Sequence, residues 1–233
     1  MCTLTYIKEY GGGRIITANR DESPLRNASR LSEYQNAKGE KFFIAKEPLK
    51  GGTNVAISTG KRMSVLLNGA FEQHEMGGKY VKSRGILLLE SLEYENLFEF
   101  AEQNSLSGIE PFTLVEFQNL IREVRWDGTK LFKKNVNPNK AQIWASAQLY
   151  SREVIRKREL WFKDLLAKNP DKDDILEFHF KGGDGDTEND LVMNRSNLVR
   201  TVSITQLADI GGKGSLRHFD LVGKKKQVIG VVA

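Results

Sequence analysis

The chain has 233 residues, 39% hydrophobic and 28% charged, with a net charge of +5. That balance supports a sizeable buried core and excludes a disordered chain. No apolar run approaches the roughly 20 residues that span a bilayer; Ile86–Leu89, for instance, ends at Glu90. No stable membrane insertion is therefore expected. The absence of a basic region followed by an apolar leader segment predicts a cytoplasmic location, with one domain over residues 1–233. The basic excess is dispersed, and its one tight run, Lys224-Lys225-Lys226, lies between Gly223 and the apolar stretch 228–232. It reads as a hairpin turn, and nucleic acid is not an expected partner.

Residues 3–7 are rich in β-formers, Gly11-Gly12-Gly13 supplies a turn, and residues 14–19 make a second strand, so the chain opens on a predicted hairpin. Such a hairpin brings Cys2 and the segment after Thr17 to the same end of two paired strands. The polar stretch 21–41 is expected to be a loop. Short strands follow at 42–45, 54–58 and 63–67, separated by Gly51-Gly52 and Thr59-Gly60-Lys61. From Ser83 to Gln103 the apolar positions Ile86, Leu89, Leu92, Leu97, Phe98 and Ala101 predict helix. Strands at 112–117, 120–126 and 130–134 form a meander with Asp127-Gly128 as a turn, and 141–145 is another strand. Residues 151–168 make an amphipathic helix with Val154, Trp161 and Leu165 on one face, beside Ile155, Phe162 and Leu166. The segment 171–180 begins acidic and turns apolar, the order of a helix N-terminus. Residues 182–190 form a loop that lacks the twelfth-position glutamate of a calcium site. The last strands are predicted at 198–205, 216–221 and 227–232. Strands at both ends with helices grouped between them point to α+β layering, two sheets covered by helices.

The single cysteine is residue 2. Alone it forms neither an internal disulfide nor a multi-thiolate zinc site. His74, His179 and His218 lack a metal-ligand spacing, His179 reads as a core histidine, and no glycine-rich phosphate loop is present, so no cofactor is expected. With Met1 removed, Cys2 carries a thiol and a free α-amine of reference pKa about 7.7–8.0. One residue then supplies nucleophile and base. The alternative is a small buried side chain at the start of a strand. Two other polar clusters stand out. Asn19-Arg20-Asp21-Glu22 follows the second strand, and Asn68-Gly69 ends an apolar strand. By themselves these read as capped turns with surface pairing; at the Cys2 end of a hairpin they read as a clustered site.

The order Met1-Cys2, Asn19-Arg20-Asp21-Glu22, Gly51-Gly52-Thr53, Leu67-Asn68, Ser83-Arg84-Gly85 and Arg200-Thr201-Val202-Ser203 spans most of the chain. With these motifs the chain resembles the NRDE, or transport and Golgi organization protein 2-like, family, named for the motif at residues 19–22. That family is in turn similar to the cysteine N-terminal-nucleophile hydrolases, such as choloylglycine hydrolases and penicillin V acylases. The resemblance implies a four-layer αββα sandwich and hydrolysis of a non-peptide C–N bond, typically a linear amide. It implies Cys2 as nucleophile, Asp21 as the carboxylate that orients the α-amine, and Asn68 as a backbone N–H donor to the oxyanion. Arg200 is implied as a positive charge that lowers the thiol pKa; in a strand it also reads as a structural ion pair. Asn19, Arg20 and Ser146 are implied on the substrate side. Three positions depart from the pattern. The hydrolases carry their arginine a few residues before Arg20, where Thr17 and Ala18 stand. Asn54 replaces an aromatic after Gly51-Gly52-Thr53. Ser146 stands where an asparagine completes the oxyanion hole, and losing one such donor costs about 10²–10³ in kcat. That loss favours a reading of another class, a non-catalytic carrier on the same fold, for which the family resemblance implies a hydrophobic ligand such as haem or lipid. No Cys-Pro haem signature is present, and no histidine is clearly placed for haem ligation.

Overall fold

A computed structural model describes residues 2–9, 13–60, 62–75, 78 and 80–231. Met1, Gly11-Gly12, Lys61 and Val232 lie outside the described residues, as does the side chain of Cys2. The chain begins with β1 (Cys2–Lys8), β2 (Arg14–Glu22), β3 (Ser32–Gln35), β4 (Lys41–Ile44), β5 (Val55–Ser58) and β6 (Met63–Asn68). Helices α1 (Arg84–Ser91) and α2 (Leu97–Gln103) follow, then β7 (Phe112–Phe117), β8 (Ile121–Trp126), β9 (Leu131–Val136) and β10 (Gln142–Ala145). Helices α3 (Arg152–Leu166) and α4 (Lys172–Lys181) precede β11 (Asn194–Arg195), β12 (Val199–Ile210), β13 (Lys213–Asp220) and β14 (Lys225–Val231).

The strands form two antiparallel sheets. One runs β10-β1-β2-β12-β13-β14 with β11 beside β12, and the other runs β3 through β9 in sequence order. Between the sheets lie Leu4, Tyr6, Ile16 and Ala18 from the first and Val55, Ile57, Val65 and Val115 from the second. The outer face of the second sheet packs Leu66, Leu114 and Val124 against Leu88, Leu97 and Phe100 of α1 and α2. The outer face of the first sheet packs Ile15 and Ala208 against Phe162, Ile175 and Phe178 of α3 and α4. The result is the expected four-layer αββα sandwich. No helix among the described residues is long and apolar enough to cross a membrane.

Local chemistry explains where the elements start. Ser151 caps α3 through Val154 N–H, and Asp171 closes a capping box with Asp174 at the start of α4. The expected helix over 83–103 is two helices. The step from Leu92 to Leu97 breaks the three-to-four spacing, and Asn96 caps α2 by accepting from Phe98 and Glu99 N–H. The expected loop 21–41 contains β3, a four-residue edge strand whose side chains alternate between partly buried and exposed. Its polar composition hid it. The long β12 also extends beyond the predicted 198–205, because its second half pairs with β2 and β13.

Gly69 ends β6 at φ +83°, and a Cβ there would lie 2.6 Å from the Gln148 backbone nitrogen. Gly69→Ala is expected to cost at least about 2 kcal/mol, from the left-handed backbone and the collision together. Urea denaturation measures it, and a loss under about 0.5 kcal/mol would contradict this packing.

Candidate active site

Strand β1 pairs with β2 without a slip, from Cys2 opposite Arg20 to Lys8 opposite Arg14. Side chains alternate across a strand, and β2 is covered on both faces, so Ile15 to Asp21 are all buried. The motif at 19–22 is therefore divided. Asn19 and Asp21 face the α3–α4 layer; Arg20 and Glu22 face a cleft at the edge of the inter-sheet core.

On the helix side every polar group of Asn19 is engaged. Its Nδ2 donates to the carbonyls of His179 (3.0 Å) and Leu191 (2.6 Å), which leaves Oδ1 to accept from His179 Nδ1 at 2.5 Å. His179 is thus the Nδ1–H tautomer, and its Nε2 accepts from the Thr5 hydroxyl at 2.7 Å. Burial, reinforced by the charge of Arg158, pushes the His179 pKa down to about 3. Asp21 is fully buried and accepts from the Tyr150 and Thr201 hydroxyls, both at 2.6 Å. Burial and the neighbouring Asp21 carboxylate raise the Tyr150 pKa well above its ordinary value, so the phenol stays a donor. Arg158, also fully buried, stacks its guanidinium 3.7 Å over the Tyr150 ring and donates to Thr3 and to the carbonyls of Asn189 and Asp190.

The cleft has a volume of about 290 Å³ and gathers four of the sequence motifs on its walls. They contribute Arg20 and Glu22, then Gly52, Thr53 and Asn54, then Asn68, and last Ser83, Arg84 and Gly85. The glycines have a physical reason. A Cβ on Gly52 would lie 2.7–3.0 Å from the backbone of Gly85 and Ile86, and Thr53 N–H donates to the Gly85 carbonyl. Two backbones touch there, and any side chain would part them. Glu22 pairs with Arg26 at 2.9 Å, Arg26 with Glu47 at 3.3 Å, and Arg84 with Glu110 at 3.0 Å. Burial works to raise the Glu22 carboxyl, but the surrounding positive charge, Arg26 and Arg20 included, and the Ser23 N–H hold it below the usual range. Burial draws the Arg84 guanidinium below its ordinary value, against the opposing charges of Glu110 and Glu22.

Of the residues singled out in the sequence, Arg20 and Asn68 line this cleft. The backbone of position 2 pairs with Arg20 in the strand register. Asn19, Asp21, Ser146 and Arg200 do not line it. Ser146 is fully buried and donates to the Asn68 carbonyl at 2.7 Å, which also accepts from Gln148 N–H. Arg200 lies opposite Glu22 on β12 and reaches Asn197 Oδ1 at 3.4 Å. Sequence reasoning missed Arg26, Glu47 and Glu110, for which no local signal exists. It also missed Arg84, which the Ser83-Arg84-Gly85 motif did mark. Arg158 was legible as a charge four residues from both Val154 and Phe162 on the apolar face of α3. Among the described residues no cluster of three or more His, Cys, Asp and Glu side chains could hold a metal ion.

The fold is that of the N-terminal-nucleophile hydrolases. The N-acylethanolamine-hydrolyzing acid amidase ortholog of Caenorhabditis elegans superposes with a TM-score of 0.60 at 13% identity, over 88% of this chain and 92% of that one. A cysteine-to-alanine mutant of the conjugated bile acid hydrolase from Clostridium perfringens gives 0.52 at 11% identity, over 99% and 92%. A second variant of that hydrolase, with an arginine replaced by leucine, gives 0.53 at 11%, over 98% and 92%. At these identities the likeness is one of fold. No curated protein matches the chain in sequence. The model of the Transport and Golgi organisation 2 family matches residues 1–202, and the chain belongs to that family.

The buried imidazole has a measurable consequence. An unfolded chain protonates His179 near pH 6.5, whereas the folded protein resists until about pH 3. The unfolded state binds more protons across that window, so His179 makes stability fall as pH falls, by about 1.4 kcal/mol per unit. His179→Gln is expected to flatten the stability–pH profile between about pH 6 and 4 by that slope, read from urea denaturation. Parallel profiles for the two proteins would contradict the buried neutral imidazole.

Proposed function

We propose that this protein is a cysteine N-terminal-nucleophile hydrolase acting on a small-molecule, non-peptide amide. The observation that carries the reading is the register that sets position 2 opposite Arg20, beside a cleft on which four distant motifs converge. After loss of Met1, the Cys2 thiol adds to the amide carbonyl while the α-amine of the same residue takes its proton. That proton passes to the leaving nitrogen, the C–N bond breaks, and an amine departs from a thioester. Water then gives a proton to the α-amine and attacks the thioester, the C–S bond breaks, and a carboxylic acid leaves with the thiol restored. Asn68 is the candidate oxyanion donor, its backbone clasped by Ser146 and Gln148. Asp21 acts by holding the end of β2 beside position 2. Arg200, opposite Glu22, adds positive charge to that end of the sheet.

One observation favours a second reading. The Ser146 hydroxyl is spent on the Asn68 carbonyl, so no side-chain donor comes from that position. The same cleft would then hold a hydrophobic ligand, lipid or haem, without turning it over.

A panel of N-acyl amides separates the two. Hydrolysis by the wild type and its loss by at least about a thousandfold in Cys2→Ala and Cys2→Ser is the expected result. Undiminished turnover in both variants would sink the hydrolase, and ligand binding that survives Cys2→Ala with no amide hydrolysed by the wild type would establish the carrier.

A further inference from the structure

The walls of the cleft are built from paired charge. Its buried and partly buried lining sets Arg20, Arg26 and Arg84 against Glu22, Glu47 and Glu110. Lys50 and Lys82 line it from the exposed mouth, where Lys82 pairs with Glu90 at 2.6 Å. The walls thus carry both signs in equal number and set no net field that draws a ligand of one charge. The apolar lining is slight: Leu66 is buried, while Tyr80 and Val81 are exposed.

The pairs leave hydrogen-bonding capacity of both kinds. Arg26 donates to Glu22 and Glu47, and Arg84 donates to the Pro111 carbonyl and pairs with Glu110. A guanidinium has five N–H donors, so each arginine keeps some for a ligand. Among the acids, Glu47 is drawn into its own turn, accepting from Leu49 and Lys50 N–H as well as from Arg26. Glu110 is shared between Arg84 and His74. Glu22 accepts from Arg26 and from Ser23 N–H, and a carboxylate takes about four such bonds. An apolar group entering here strips water from these charges and returns none of its hydrogen bonds. A group with one charge meets like and opposite charge in equal measure. A zwitterion engages both. The volume of about 290 Å³ lies at the low end for small-molecule sites, which favours a compact ligand.

We propose that the cleft takes a compact zwitterionic amide, its ammonium held by Glu22 and its carboxylate by Arg84. The inference deepens the hydrolase reading and rests on it for the amide. Glu22 and Arg84 are then specificity-determining residues, one for each charge of the ligand.

Isothermal titration of the Cys2→Ala protein, which leaves amides intact, tests it with four probes. L-glutamine is a linear amide with both charges. Against it stand 4-carbamoylbutanoate, which lacks the ammonium, 4-aminobutanamide, which lacks the carboxylate, and butanamide, which lacks both. Glutamine is expected to bind at least about tenfold more tightly than each of the others, the effect of one charge-assisted hydrogen bond. In the same background, Glu22→Gln is expected to erase the preference over 4-carbamoylbutanoate and Arg84→Gln the preference over 4-aminobutanamide, each leaving the other preference in place. Circular dichroism melts check that both variants fold, and the four-probe comparison stands without them. Equal binding of the four probes, tighter binding of any analogue, or no binding of glutamine overturns the proposal. Turnover by the wild type is read separately. Cys2-dependent hydrolysis confined to amides of apolar acyl groups keeps the hydrolase and overturns the zwitterion. Glutamine bound with both preferences but left unhydrolysed keeps the zwitterion site and counts against the hydrolase.

Discussion

Strand β2 is covered on both faces, and that constraint organises the protein. A strand that is exposed on one side can place its polar residues in water. This one cannot, so each polar side chain on it needs a partner inside the fold. Alternation then sends Asn19 and Asp21 toward α3 and α4, and Arg20 and Glu22 toward the cleft. The four-residue motif is two devices interleaved. One ties the sheet to the helices, and the other faces whatever enters between the sheets.

The helix-side device carries buried charge, which normally opposes folding by several kcal/mol per ion. Here the Asp21 carboxylate is met by two hydroxyl donors, and the Arg158 guanidinium by three oxygen acceptors and an aromatic face. Tyr150 belongs to both, stacked under Arg158 while it donates to Asp21. The network fixes β1 through Thr3 and Thr5, β2 through Asn19 and Asp21, and β12 through Thr201. Those strands are the ones that set the backbone of position 2, so rigidity on one face of the sheet is transmitted to the other. The clasp on Asn68 does the same for the second sheet. Ser146 and Gln148 bind its carbonyl, and Gly69 permits the close approach.

Much of this was legible in the sequence because it rests on local chemistry. The opening hairpin followed from β-formers around a glycine turn, and α3 from its apolar spacing. The two-sheet layering followed from the order of elements. The 19–22, 51–53, 67–68 and 83–85 motifs were legible as family matches; that they line one cleft required the fold. What stayed hidden depends on long-range contact. Nothing near Asp21 in the sequence marks Tyr150 or Thr201 as its partners, and nothing near Arg26 marks Glu47. The division of residues 19–22 between two faces was available from strand alternation, provided the strand is known to continue to Glu22. The polar run after Asn19 concealed that continuation. The replacement of an oxyanion asparagine by Ser146 was visible, but its engagement with Asn68 required the fold.

The proposed hydrolysis requires position 2 to become the chain's first residue, since only then does one residue carry both thiol and α-amine. The direct measurement is the intact mass of the protein expressed without an N-terminal tag. The account predicts a mass short by one methionine, with Cys2 identified as the first residue by sequencing. A retained Met1 would block the amine, remove the base from the reaction, and contradict the hydrolase in favour of a carrier on the same fold.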